Sequence, residues 1–459
     1  MFRAFKIKSL SLQALTPRRQ EQALAWLLGS GFFLTIFVFW ILKPLKKGRF
    51  IEFFAVDGFA LGPWLLSAAK AELLAKELNL LCAVVAMGLF ALLSRRWQRE
   101  RLHMLLGGAM AIAFAAFAVL AKKGFSAALV WAFYIFGDLF NMLMLAALFA
   151  FLNDVVSVRQ SKQLHGPVVL GGVLGGAVGA LGVSAFVSHW SLSFWMWGCF
   201  VAVLLLIGTS FVAGQLVWRN PLFVPNALGP DRASSPVSSQ QGGQVLKRNQ
   251  QLRRIALIVA LYEIVSSIID YQFTHSVATA LSGRDISRYF ANVYMAVNVV
   301  ALLVQLLLSR SFMMRLGIAR SIIVLPILLM TGLGGFFLVP GLFFATFLLV
   351  GDNALNYSLH QSCRESLYVV LPHRDKYAGK AFVDIFVQRA AKGVGLLIPL
   401  VLSASLLRWL SLLALPLTAI WAHVAFRAGQ RLDEQQEAGE TDVKIEEEVE
   451  GEVEEIPCT

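Results

Sequence analysis

Charge is what this sequence has least of. Only 15% of its 459 residues are Asp, Glu, Lys or Arg, against about a quarter in a soluble domain, and that shortage excludes an ordinary water-soluble enzyme. Cysteine is scarce too. Of Cys82, Cys199, Cys363 and Cys458, three lie in apolar segments and none forms a C-x-x-C pair, so neither a disulfide framework nor a zinc site is indicated. Acidic residues are few outside one place: residues 433–459 hold 12 of them and one Lys. The first 432 residues therefore carry 39 basic side chains (40 less one) and 16 acidic ones (28 less 12), a balance of +23. In a soluble protein that excess would point to nucleic acid. In an apolar chain it points to cytoplasmic loops and to cations inside a bundle, so no nucleic-acid partner is expected. Residues 1–21 are basic but lack a short apolar core followed by a small-residue cleavage site, and read as a retained cytoplasmic lead-in.

What the sequence has in quantity is hydrocarbon. Hydrophobic residues make up 58% of the chain and the aromatics include 35 Phe and 11 Trp, giving a mean hydropathy of +0.68. A spanning helix needs about 20 apolar residues. Runs of that length fall at about 22–47, 62–92, 103–121, 126–152, 166–187 and 192–217, then at 252–279, 288–309, 319–338, 340–370, 376–405 and 407–427. Between the two sets lies a polar stretch, 218–251, with four prolines and the run Ser238-Ser239-Gln240-Gln241-Gly242-Gly243, the composition of a linker. The expected fold is an all-α polytopic membrane protein of about 12 helices in two six-helix halves, 22–217 and 252–427. Arg and Lys concentrate in the lead-in, at Arg95 to Arg101, in the central linker and at Arg310 to Arg320, which places those segments and both termini on the cytoplasmic side. The tail, 428–459, is acidic and poor in aromatics and is expected to be disordered. Six plus six around a linker is the layout of major-facilitator carriers, whose site lies near the midplane.

An ionisable side chain at the bilayer centre costs roughly 2.5–3.5 kcal/mol on insertion scales, so such residues need a cavity or a partner. The first span ends in Lys43-Pro44-Leu45-Lys46-Lys47-Gly48-Arg49. Snorkelling to the interface explains part of that cluster, but it lies at the non-cytoplasmic end, where positive clusters are disfavoured. A cavity that attracts anions, next to a helix break at Pro44, is the better reading. In the fourth span Tyr134, Asp138 and Asn141 share one helix face. In the seventh, Glu263, Ser266, Ser267, Asp270 and Thr274 form a stripe, lining a cavity or joining a buried network. In the eleventh, Lys380, Asp384, Gln388 and Lys392 step by four, with Arg389 beside them. Asp384 can neutralise one of the three cations, leaving two to hold phosphate or carboxylate groups.

Other features have plainer readings. The run Gly171 to Gly179 contains overlapping G-x-x-x-G and reads as close helix packing rather than a phosphate cradle. Asn153-Asp154 and Lys162 to His165 are expected at the cytoplasmic boundary. In the tenth span Asp352, Asn353, Asn356, His360, Arg364 and Glu365 alternate with apolar residues; Arg364 and Glu365 read as a gate ion pair, and His360 has no second ligand at metal-binding spacing. No nucleophile–base pair appears, so no catalytic residue, metal or cofactor is expected.

At these residues the sequence resembles the ATP/ADP translocase family of bacteria and plastids, over about residues 38–400, as a divergent branch. Ile41-Leu42-Lys43-Pro44-Leu45-Lys46 is similar to the family's I-L-R-D-T-K, and Phe133-Tyr134 through Asp138-Leu139 to F-Y-x-x-A-E-L-W. Ser161-Lys162 through Gly166 resembles A-K-R-F-Y. Gly379-Lys380-Ala381, Asp384, Arg389 and Lys392-Gly393 are similar to G-K-A-x-x-D-V-x-x-x-R-x-G-K. The resemblance implies a major-facilitator-like bundle that exchanges nucleotides and assigns substrate roles to Lys46, Asp138, Asp270 and Lys380. Both acids are Asp where the family has Glu, and Thr274 stands where the family has Lys.

The expectation is a secondary transporter in a bacterial inner membrane, moving an anionic, phosphorylated solute such as a nucleotide by alternating access. Lys43, Lys46, Lys380, Arg389 and Lys392 attract the anion, and Asp138 and Asp270 hold those cations when the site is empty. Its partners are that small molecule and the lipid bilayer. A proton-coupled carrier of another organic anion, using Asp138, Asp270 or Glu263, remains an alternative, as does a non-transporting membrane protein that recruits partners through its tail.

Overall fold

A computed structural model describes residues 17–96, 99–155, 158–219, 239–369, 371–372, 379–402 and 406–454. The central linker from 220 to 238 lies outside them, as do the side chains of Asn153, Asp154 and Lys162 to His165. Six long helices come first: α1 (Pro17–Phe54), α2 (Ala68–Arg96), α3 (Arg99–Lys123), α4 (Ala127–Val155), α5 (Val158–Phe186) and α6 (Leu192–Arg219). A short helix α7 (Ser239–Arg248) leads into α8 (Gln250–Ala280). Then follow α9 (Arg284–Leu303), a π turn (Val304–Ser309), α10 (Arg310–Ile322), α11 (Val324–Leu338), α12 (Leu342–Leu355), a second π turn (Asn356–His360) and α13 (Gln361–Leu367). A third π turn (Val383–Val387) opens α14 (Gln388–Val401), and α15 (Leu407–Glu454) ends the chain's regular structure.

With the π turns passed over and the kink at Gly317 taken as a boundary, the described long helices number six up to Arg219 and six from Gln250 onward. Seven of them are individually long and apolar enough to cross a membrane, or eight if the bent pair Ser311–Ile322 and Val324–Leu338 is one span. The chain divides into two compact units, one comprising Met1–Ser234 with Val277–Asn298, the other Ser235–Ser276 with Val299–Thr459.

Three local departures from the sequence reading have physical causes. Pro44 does not end the first helix, which runs on to Phe54. A proline forfeits one backbone hydrogen bond, and in a spanning helix neighbouring helices and local adjustment re-satisfy the freed groups. The second span starts at Ala68, not at residue 62, because Phe59–Leu61 and Trp64–Leu66 pair as an antiparallel hairpin. Its turn places Gly62 at φ 60°, which glycine adopts without penalty, and Pro63 comes next, at a position where its fixed φ fits. The acidic tail continues α15 as helix to Glu454. Asp433 anchors its start, accepting hydrogen bonds from the backbone N–H groups of Ile318 (2.9 Å) and Ala319 (3.0 Å), and Glu and Lys propagate a helix once it is nucleated.

In the first unit the core is aromatic and aliphatic, with Phe114, Phe133, Phe140, Met144, Met196 and Val203 buried among α1, α3, α4 and α6. The glycine run packs α5 onto α1. A Cβ at Gly171 would lie 2.1 Å from the Gly29 carbonyl oxygen, one at Gly175 2.3 Å from that of Phe33, and one at Gly179 2.7 Å from that of Phe37. Three positions spaced by four on one helix thus meet three on the other, backbone to backbone, the small-residue packing that membrane helices use in place of hydrophobic exclusion. Gly175→Val is therefore expected to abolish recovery of monodisperse protein in detergent size-exclusion chromatography, whereas Gly182→Ala, with open space at its Cβ, leaves the elution profile unchanged.

Candidate functional site

In the first unit, α1, α2 and α4 bring an ionic network together. Lys46, only 6% exposed, forms an ion pair with Asp138. Its ammonium also sits 4.6 Å from the centre of the Tyr134 ring, attracted by the ring's negative face. Gly137 makes room for the lysine stem, since a Cβ there would lie 2.8 Å from Lys46 Cδ. The Asp138 carboxylate also accepts a hydrogen bond from Asn79 Nδ2. Tyr134 donates its hydroxyl to Glu72 Oε1 at 2.7 Å. Glu72, fully buried, takes Lys76 at 2.9 Å and Lys47 at 3.5 Å. Lys43 lies 4.8 Å from the ring of Trp40 and 4.7 Å from that of Tyr294. Asn141, one turn beyond Asp138, is half-buried, and its Oδ1 has no hydrogen-bond partner among the described residues.

Three lysines, Lys46, Lys47 and Lys76, thus gather around two carboxylates, Glu72 and Asp138, and Lys43 rests on the neighbouring aromatic rings. Each carboxylate accepts more than one donor, which is how a charge is kept in a low-dielectric interior without prohibitive cost. The positive excess is what an incoming dianion or polyanion would exploit. Glu72, Lys76 and Asn79 are site residues that the sequence reading does not single out. They step i, i+4, i+7 along α2, the same signal that marks Tyr134, Asp138 and Asn141 on α4.

The second unit holds a different set. Lys380 pairs with Glu365 and lies 5.4 Å from the Tyr368 ring. Both partners are partly exposed, 36% and 43% by side chain. Asp384, expected to neutralise one of the three cations, is not the partner of Lys380, and Glu365, expected to pair with Arg364, takes Lys380 instead. Asp384 is near enough to Arg364 and Lys380 to act on them electrostatically, but forms no ion pair among the described residues. The π turn Val383–Val387 breaks the strict four-residue stepping, because each π turn rotates the register of the residues beyond it. Gln388 Nε2 donates to Glu263 Oε1 at 2.7 Å, tying α14 to α8. Arg389 is half-buried and Lys392 exposed, neither with an ion pair among the described residues.

On α8 the polar stripe splits. Ser267 and Thr274 turn back to the carbonyls of Glu263 and Asp270, at 2.7 and 2.8 Å. Ser266 reaches out instead, donating to Asp352 Oδ2 at 2.6 Å. Asp270 is half-buried and close enough to act electrostatically on Asp352.

Spanning apolar helices with a lysine–carboxylate network buried among those of the first unit define a class: the chain is an integral membrane protein of the major-facilitator fold, the architecture of secondary transporters. Within that class it is similar to the TLC ATP/ADP transporter family, whose model matches residues 122–348. It is 24% identical to the ADP,ATP carrier protein 1 of Chlamydia pneumoniae over 360 residues, covering 67% of this chain and 70% of that one. The ADP,ATP carrier protein 1 of Chlamydia trachomatis is also 24% identical, over 306 residues, 58% of this chain and 57% of that one. Among solved structures, a variant of the nucleoside transporter NupG superposes with a TM-score of 0.61 at 13% identity, covering 88% of this chain and 99% of NupG.

Proposed function

We propose that the chain moves an anionic, phosphorylated solute across a bacterial inner membrane by alternating access, with nucleotides as the first candidates and exchange as the mode. The observation that supports this most is the cluster of Lys46, Lys47 and Lys76 around Glu72 and Asp138. A phosphate chain entering there competes with the carboxylates for the ammonium groups. Each protein ion pair broken is replaced by one to the ligand, so the cations are never left unpaired in low dielectric. Without ligand the pairs reform, which disfavours passage of an empty carrier and makes exchange the natural cycle. Lys43, Lys380, Arg389 and Lys392 add to the attraction, and Asp138 and Asp270 hold cations in the absence of solute. Tyr134 and Asn141 add polar groups beside the lysine cluster of the first unit, and Glu263 adds one beside Gln388 in the second. The names of the two chlamydial relatives favour ADP and ATP over other phosphates. Both termini are cytoplasmic in this reading.

Counterflow tests it. At equal pH on both sides, purified protein in liposomes loaded with unlabelled ADP is expected to take up labelled ATP, and ADP-free liposomes are not. Excess nucleotide competes; the matching nucleoside, lacking phosphate, does not. If neither nucleotides nor other phosphorylated metabolites support counterflow, the reading fails.

A further inference from the structure

Along the helix built from α12, the π turn Asn356–His360 and α13, every fourth position from 352 to just past the end of α13 is polar: Asp352, Asn356, His360, Arg364 and Tyr368. Each presents a buried polar atom with no hydrogen-bond partner among the described residues: Asp352 Oδ1, Asn356 Oδ1, both ring nitrogens of His360, Arg364 Nε and the Tyr368 hydroxyl. More than nine in ten buried polar groups in proteins are satisfied by protein or water, so five successive exceptions in one line are a feature of the design. At about 1.5 Å per residue the line is about 24 Å long.

The surroundings point to what it carries. Asp352 and His360 are each 1% exposed. Asp352 receives Ser266 through Oδ2, and Tyr262, Glu263 and Asp270 of α8 are the titratable groups that act on it. His360 packs against the rings of Tyr262 (5.6 Å) and Trp421 (5.4 Å), which also touch each other. The charge acting on it is Arg364 of its own helix; α10, α11 and the π turn Val304–Ser309 pack nearby without contributing one. One end of the line stops at Asp352, deep in the unit. The other reaches Tyr368, beside the partly exposed Lys380–Glu365 pair. No group of three His, Cys, Asp or Glu side chains among the described residues is placed to hold a metal ion, and a hard cation needs about six oxygens. An imidazole with both nitrogens unengaged can take a proton on one and release it from the other, and Asp–His chains inside membranes serve as proton relays.

We propose that this line is the coupling site of the carrier: a proton binds the Asp352 carboxylate and moves to and from it past Asn356, His360 and Tyr368 through intervening water. The inference rests on the transport reading above and adds the driving ion to it. The step is a transfer only. A proton from one side converts the carboxylate to the neutral acid and leaves to the other side, so the solute's negative charge travels with a compensating positive one. The π turn, a local irregularity often found at functional sites, sits in the middle of the path.

Two assays on the reconstituted full chain separate this from the reading it rests on. Counterflow of labelled nucleotide at equal pH reports transport itself; net uptake into nucleotide-free liposomes under an acid-outside gradient reports coupling. With one proton per solute, one pH unit of gradient is expected to raise accumulation up to about tenfold. Asp352→Asn and His360→Gln are expected to keep counterflow and lose that rise. Wild-type uptake indifferent to the gradient, either variant keeping the full rise, or loss of counterflow along with it, overturns the proposal. Failure of wild-type counterflow overturns the transport reading instead. A substrate-free arm then still decides: protonated His360 should quench Trp421, so tryptophan fluorescence should fall on acidification in the wild type and less in His360→Gln. Identical titrations of the two overturn the relay.

Discussion

Lys46→Ala is expected to abolish nucleotide counterflow and to lower the thermal stability of the detergent-solubilised protein sharply. The ammonium it removes is 6% exposed and paired with Asp138, which would keep only the neutral amide of Asn79 as a hydrogen-bond donor among the described residues. Breaking one side of a buried ion pair leaves an uncompensated charge and costs about 3–5 kcal/mol. The second substitution distinguishes transport from folding. Lys46→Ala with Asp138→Ala removes both charges, so most of the melting temperature should return while counterflow stays absent. A conservative Lys46→Arg should also fail, since the lysine stem already fills the space that Gly137 leaves and a guanidinium is a wider, planar group. Counterflow retained in Lys46→Ala would remove this residue from any role in binding the anion.

Much of the architecture is legible in hydropathy because spanning length is a strong constraint: the helices begin and end within a few residues of the apolar runs in most cases. The α1–α5 packing is legible for a similar reason, as glycines spaced by four on an apolar helix suit little besides close backbone contact with a neighbour. The candidate site is legible only in part. Tyr134 and Asp138 stand out against a helix of Leu, Phe, Ala and Met. Glu72, Lys76 and Asn79 obey the same spacing, yet in a window average their charge weakens the span, because hydropathy counts the cost of an ion and not the partner that offsets it. Glu72 is fully buried because Tyr134, Lys47 and Lys76 surround it, and its bond to Tyr134 joins segments about 60 residues apart. The pairing of Lys380 is hidden differently. Ideal 3.6-residue stepping puts Asp384 beside it, whereas a π turn begins at Val383 and Glu365, 15 residues earlier, is the partner. Periodicity does not announce a π turn.

The contrast between the two lysine pairs sets up the second large effect. Lys380→Ala is expected to abolish counterflow as Lys46→Ala does, but with a shift in melting temperature too small to separate from the wild type. The reason is exposure. Lys380 and Glu365 keep 36% and 43% of their side-chain surface, water and salt screen the pair, and such contacts are worth roughly 0–1 kcal/mol. Glu365 left alone can also be hydrated, so no buried charge is stranded. Glu365→Gln then serves as the informative partner variant. It leaves the ammonium in place without its competitor, so the half-saturating nucleotide concentration in counterflow should fall, and raised ionic strength should weaken binding more steeply than in the wild type. A carrier in which Lys380 merely braces α13 would show the reverse, with Glu365→Gln and Lys380→Ala equally inactive, because each removes the same contact.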